Sequence, residues 1–184
     1  MKTTRLATAL LAAGLVSGAA MADGLRFLPG LDAGFKAEPT IALSLGAMQA
    51  NAGAGKDETL FAYGIDFNMN CGLIQTPANR IRTHVQINHA NQDGIKATTF
   101  ELSPRYTVPL GSGFSVGAGP VIGMVMADNG VTDKNLFGYG AVVGANFRKG
   151  MYYSGLDVRY MNTNERSNLT FENWTVLAKV GINF

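Results

Sequence analysis

Large apolar residues alternate with small or polar ones over most of this 184-residue chain. The last twelve residues, 173–184, show the pattern best. Trp174, Val176, Ala178, Val180, Ile182 and Phe184 fall on one parity, and Thr175, Leu177, Lys179, Gly181 and Asn183 on the other. Successive residues of a strand point to opposite faces, so this period predicts a strand with one apolar wall and one mixed, small or polar wall.

The same alternation begins at Thr40 and predicts seven earlier strands, at 40–49, 59–69, 80–88, 95–108, 114–127, 136–148 and 151–161. The second is the clearest, with Phe61, Tyr63, Ile65, Phe67 and Met69 set against Ala62, Gly64, Asp66 and Asn68. Tight turns are expected at Pro109-Leu110-Gly111-Ser112-Gly113 and at Lys149-Gly150. Polar stretches at 50–58, 88–94, 128–135 and 162–172 read as longer loops, and 70–79, with Gly72 and Pro77, as an unusually long turn. Residues 25–36 have no clean period. They read either as a lead-in or as a segment tucked against one end of a barrel.

Eight strands with large residues on one face and glycine, serine, asparagine or charge on the other predict a closed barrel with its apolar wall outward. A soluble sandwich would leave a nearly glycine-lined face in water on successive strands, and glycine weakens strands. A soluble ligand-binding barrel would turn its apolar residues inward instead. Strand lengths suit tilted membrane crossings of about 9–11 residues. Phe61, Phe100, Phe114, Phe137, Phe147, Tyr152, Tyr160, Trp174 and Phe184 suit interfacial girdles. Pro104 and Pro120 fall inside strands, where the missing N–H predicts a bulge or absent ladder bonds.

Residues 1–22 read as a secretory signal peptide. Lys2 and Arg5 precede an apolar run at 6–16, and Ala20-Met21-Ala22 fits a small-x-small cleavage site. The expected division is then 1–22 signal, 23–39 lead-in and 40–184 barrel. Charged residues make up 15%, against about 25% in soluble domains. A net charge of +2 gives no footprint for nucleic acid. Cys71 is the single cysteine, so an intrachain disulfide is excluded and the residue reads as a bystander in a turn.

By parity the inward charges are Asp66, Arg82, Glu101, Arg105, Asp157, Arg159 and Lys179, with His84 beside them. Centring each strand pair on its turn puts Asp66 opposite Arg82 and Arg82 opposite Glu101, with room near Gly119, Gly123, Gly140 and Gly144 for the arginines to extend. An unpaired buried charge costs several kcal/mol, so a narrow lumen predicts a salt-bridged, largely closed interior. A narrow or gated channel is the alternative reading. Residues 128–133 carry Asp, Asn and Gly but lack the remaining pattern of a calcium loop, and read as solvated. No metal or cofactor is expected.

The signal peptide, the eight alternating strands, the 109–113 turn into Phe-Ser-Val-Gly-Ala-Gly and the ending Val180-Gly181-Ile182-Asn183-Phe184 carry a resemblance. The mature chain resembles the small eight-stranded bacterial outer-membrane β-barrels, the group of the OmpA transmembrane domain and OmpX. The resemblance implies an all-β, antiparallel, up-and-down transmembrane barrel in the outer membrane. It implies a terminal assembly signal in Trp174, Val180, Ile182 and Phe184, read by the barrel assembly machinery. It also implies outer-membrane lipid and lipopolysaccharide as surroundings, and an extracellular partner met through the loops. Some such barrels modify lipid A, and one branch carries a His-x-Ser-Asn motif on a late strand. The matching stretch here, Arg159-Tyr160-Met161-Asn162-Thr163-Asn164, has no histidine. The reading is therefore a non-enzymatic structural or surface-interaction barrel, with lipid A modification as a second alternative.

Overall fold

The structure, a computed structural model, describes residues 24–51, 57–92, 95–128, 133–164 and 172–184. The expected signal peptide and the centre of the 128–133 stretch lie outside the described residues. Eight antiparallel strands close into one barrel: β1 (Thr40–Asn51), β2 (Asp57–Asn70), β3 (Ile81–Gln92), β4 (Ile95–Gly111), β5 (Phe114–Asp128), β6 (Asp133–Lys149), β7 (Tyr152–Thr163) and β8 (Glu172–Asn183). Each strand pairs with its sequence neighbours, and β8 pairs with β1 in register from Glu172↔Asn51 to Asn183↔Thr40. Closure leaves no sheet edge.

The walls sort as the alternation requires. Ile41, Leu43 and Leu45 of β1, Phe61, Tyr63 and Ile65 of β2, and Val176, Val180 and Ile182 of β8 are exposed on the outside. Ala42, Ser44, Asp66, Asn68 and Lys179 are buried inside. No helix among the described residues is long and apolar enough to cross a membrane; a barrel crosses with strands. The strands run beyond their expected ends, to Asn51, Gln92 and Thr163, and β6 starts at Asp133. His89, expected in a turn, therefore lies within β3 and pairs with Tyr63 and Thr98. Polar composition misplaced these boundaries because the ladder continues past the apolar band.

Both termini of the barrel, the turns at 112–113 and 150–151, and the long 71–80 connection lie at one end, here called the turn end. The other four connections define the loop end. The long connection has a partner in the lead-in. Arg26–Phe27 pairs antiparallel with Ile74–Gln75, and the amides of Leu28 and Gly30 donate to the carbonyls of Leu73 and Gly72. The Gln75 side chain holds the return to β3 by accepting from the Ile81 amide at 2.7 Å and donating to the Ile81 carbonyl at 2.8 Å. Asn70 donates from its backbone to the Ala37 carbonyl and from its side chain to the Lys36 carbonyl. The lead-in and connection thus form a lip beneath β1–β3. Cys71 is buried at its root.

Pro104 and Pro120 stand directly opposite each other. Bridges between β4 and β5 run to Leu102↔Ile122 and resume at Tyr106↔Ala118 in the same register, so ladder pairs are missing between them and no residue is inserted. Both prolines still pair on their other sides, with Thr83 and Ala141. Two strands that each lack an N–H at facing positions cannot exchange bonds there. We predict that the cross-strand amides flanking this gap, those of Tyr106 and Ile122, exchange with deuterium at least tenfold faster than those of Phe100 and Met124 in the folded barrel. Uniform protection along β4 and β5 would contradict the gap.

Candidate functional site

The lumen holds the side chains with chemistry. Asp66 on β2 and Asp157 on β7 face each other across it, and the ammonium of Lys179 from β8 contacts both carboxylates. Arg105 Nη1 lies 2.9 Å from Asp157 Oδ2. His84 Nδ1 sits 3.0 Å from Asp66 Oδ2; a carboxylate only accepts, so this nitrogen carries the proton. Gln86 Nε2 donates to Asp66 Oδ2 at 2.9 Å, while its Oε1 accepts from Arg159 Nη1 at 3.1 Å. Arg159 in turn pairs with Glu101. Asp66, Asp157 and Glu101 therefore match Lys179, Arg105 and Arg159 in charge. Asp66 is 0% exposed and Lys179 1%.

Arg82 sits nearer the turn end and leaves this cluster. It donates to Asn70 Oδ1 at 2.9 Å and to the Glu38 carbonyl at 2.6 Å, and its nearest carboxylate is Glu38 at 3.8 Å. The expected pairs Asp66–Arg82 and Arg82–Glu101 do not form. In the register Asp66 faces Gln86, and Arg82 faces Asn70 and Arg105. The shift has two causes. The 71–80 connection is lopsided because part of it pairs with the lead-in, and the β3–β4 connection is short because β3 runs on to Gln92.

The inward glycines act differently from one another. A Cβ on Gly144 would meet Asp157 Oδ1 at 2.3 Å and Arg105 Nη1 at 3.3 Å, so this glycine makes room for the ion pair. At Gly119, Gly123 and Gly140 the first obstacle is a neighbouring strand's carbonyl, at 2.0, 2.2 and 1.9 Å. These three permit close strand approach and leave no space for arginines, contrary to the sequence expectation.

Sequence reading passed over several participants. Arg148 reaches Asn68 Oδ1 and lies over the Tyr153 ring, 5.1 Å from its centroid. Tyr153 is buried and donates to Asn146 Oδ1 at 2.6 Å. Parity alone identifies Tyr153 and Gln86 as inward. The loop half of the lumen holds an apolar cluster of Met48, Leu60, Val125, Leu136, Met161 and Leu177 beside buried Asn88, Thr99, Asn173 and Thr175. Several of these sit near strand ends that polar neighbours disguise.

Ser103 lies opposite His84 in the β3–β4 register, which brings an Asp-His-Ser set into one region. The Ser103 hydroxyl accepts from Arg105 Nε at 3.2 Å, and both Ser103 and His84 are 2% exposed. A nucleophile also needs access to a substrate, and a serine this buried offers none. Among the described residues no group of histidine, cysteine and carboxylates has metal-ligand geometry. Of the terminal residues Trp174, Val180, Ile182 and Phe184, all are exposed on the outer wall, and Trp174 stacks on Tyr160 with centroids 5.0 Å apart.

A closed eight-stranded antiparallel barrel with a continuous apolar exterior is a transmembrane β-barrel, and its fold is that of the small outer-membrane barrels. Neisserial surface protein A (NspA) has a similar solved structure, with 14% identity and a TM-score of 0.63, over 79% of this chain and 97% of that one. The N-terminal β-barrel domain of Pseudomonas aeruginosa OprF matches at 13% identity and TM-score 0.47, over 81% of this chain and 100% of that one. The Yersinia pestis outer-membrane protein Ail matches at 14% identity and TM-score 0.45, again over 81% and 100%. No protein-family model matches the chain, and no curated protein matches it.

We predict that Gly144→Val displaces the Asp157 carboxylate and lowers unfolding stability by about 1–3 kcal/mol, whereas Gly150→Ala in the exposed turn lowers it by less. Urea unfolding of the barrel in lipid vesicles measures both. Equal effects would contradict the packing described here.

Proposed function

We propose that this chain is an integral outer-membrane barrel with a structural or surface-interaction role, and that its lumen is closed and salt-bridged. The carrying observation is the pairing of Asp66, Asp157 and Glu101 with Lys179, Arg105 and Arg159, beneath an apolar plug centred on Leu60 and Leu177. Hydrated ions pass a packed apolar cluster poorly, and charges already paired are not available to solute. The same burial argues against catalysis in the lumen, including lipid A modification. The expected orientation puts the turn end and the lip in the periplasm and the loop end outside, because two of the three turn-end connections are tight two-residue turns and 71–80 is the exception.

Lipopolysaccharide is the proposed outer-leaflet neighbour. Lys96, His89 and Tyr63 lie together on the outer wall near the loop end, and His89 Nδ1 is 2.9 Å from Thr98 Oγ1. The barrel assembly machinery is the proposed reader of Trp174, Val180, Ile182 and Phe184, and an extracellular partner would meet the loop end. A narrow or gated channel is the second reading. One observation favours it: Arg105 Nη2 and Arg159 Nη2 are buried without a protein acceptor among the described residues, which suits water in the lumen.

Planar-bilayer recording separates the two. The closed reading predicts no steady conductance from the wild type and its appearance in Leu60→Gly/Leu177→Gly, which opens the plug. Large steady conductance from the wild type would overturn it. Unaltered lipid A on expression is expected as well, and a changed acyl pattern would revive the enzymatic alternative.

A further inference from the structure

The lip is more apolar outside than a solvated segment needs to be. Phe27, Leu28, Leu31, Leu73 and Ile74 are 72%, 52%, 83%, 68% and 38% exposed. All belong to the small sheet and the turns that flank it. They lie below the foot of β2 and β3, whose outer residues Phe67, Ile65 and Val85 are also exposed. The patch lies at the same end of the barrel as the foot of that lipid-facing wall. A large exposed apolar patch on a stable element marks an interaction surface.

Beside the patch the lip carries an open pocket of about 370 Å³, within the roughly 300–1,000 Å³ usual for small-molecule sites. Its lining includes Arg26, Asp32, Phe35, Lys36, Glu38 and Asn79. Of its charges Glu38 faces a cation, and Arg26 is held only by a neutral amide. Arg26 donates to Asn79 Oδ1 at 3.0 Å, and Glu38 accepts from Asn70 at 3.3 Å and lies 3.8 Å from Arg82. Lys36 and Asp32 lie on the same pocket with no side-chain partner among the described residues. Two cations without a carboxylate partner, Lys36 and Arg26, and one uncommitted anion, Asp32, next to an exposed apolar apron, fit one kind of occupant.

We propose that the lip binds a phospholipid with a zwitterionic phosphoethanolamine headgroup. The phosphate lies against Lys36, the ammonium donates hydrogen bonds to Asp32, and an acyl chain covers Phe27, Leu28 and Leu31. A headgroup with phosphate but no ammonium leaves Asp32 facing negative charge. A trimethylated ammonium has no N–H to donate. The site thus selects phosphatidylethanolamine over phosphatidylglycerol and phosphatidylcholine. The proposal rests on the membrane placement above, with the turn end at the inner leaflet.

The test is native mass spectrometry of the folded full chain in detergent, titrated separately with phosphatidylethanolamine, phosphatidylglycerol and phosphatidylcholine. The wild type is expected to retain one phosphatidylethanolamine at about tenfold lower concentration than either competitor, the size of one charge-assisted contact. Lys36→Glu and Asp32→Lys, both exposed and outside the barrel, each lose that preference while keeping heat-modifiable migration on gels. Equal retention of the three lipids, or a preference untouched by both substitutions, overturns the proposal and leaves the barrel reading standing. Recovery of the native chain from the soluble periplasm would sink both.

Discussion

Narrowness is the constraint on which everything else depends. A sheet of eight strands closes around an interior just wide enough for side chains to fill. Every inward residue then either meets another side chain or becomes a void or an unpaired charge. Lys179 shows the consequence. It lies between Asp66 and Asp157, and removing any one of the three strands another charge in a place that water reaches poorly. Gly144 belongs to the same constraint, since its missing side chain is the space into which Asp157 and Arg105 fit.

The lumen divides along its axis into two kinds of interior. Toward the turn end it is ionic and hydrogen-bonded, from Arg82 and Glu38 through the Asp66–Lys179–Asp157–Arg105 chain to Arg159 and Glu101. Toward the loop end aliphatic and thioether side chains form a cluster among buried asparagines and threonines. An ionic interior fixes which strand faces which, because a slip of one residue moves each charge to the lipid wall. The apolar cluster adds burial without that demand. The lead-in belongs to the ionic half, since Glu38 gives Arg82 the carboxylate that no strand supplies.

The architecture was legible because period-2 alternation is a direct image of two walls. Phe61, Tyr63, Ile65 and Phe67 against Ala62, Asp66 and Asn68 leave little freedom in how β2 faces. The inward set Asp66, Arg82, His84, Glu101, Arg105, Asp157, Arg159 and Lys179 followed from the same parity. Who pairs with whom did not follow, because partner choice needs the turn centres. Those depended on a lead-in with no period and on strand ends hidden in polar composition. Arg82 is the clearest case: its partner Glu38 lies in a stretch that alternation says nothing about. The facing prolines were legible as a disturbance, and their direct opposition explains why the ladder loses bonds there without changing register.

The central claim is that Asp66, Lys179, Asp157 and Arg105 act as one unit that a narrow lumen cannot leave half-paired. A double-mutant cycle on Lys179→Met and Asp157→Leu, read by urea unfolding in lipid vesicles, tests it most directly. Each single substitution is expected to cost about 3–5 kcal/mol, and the double substitution much less than the sum. Two small, additive losses would contradict the account.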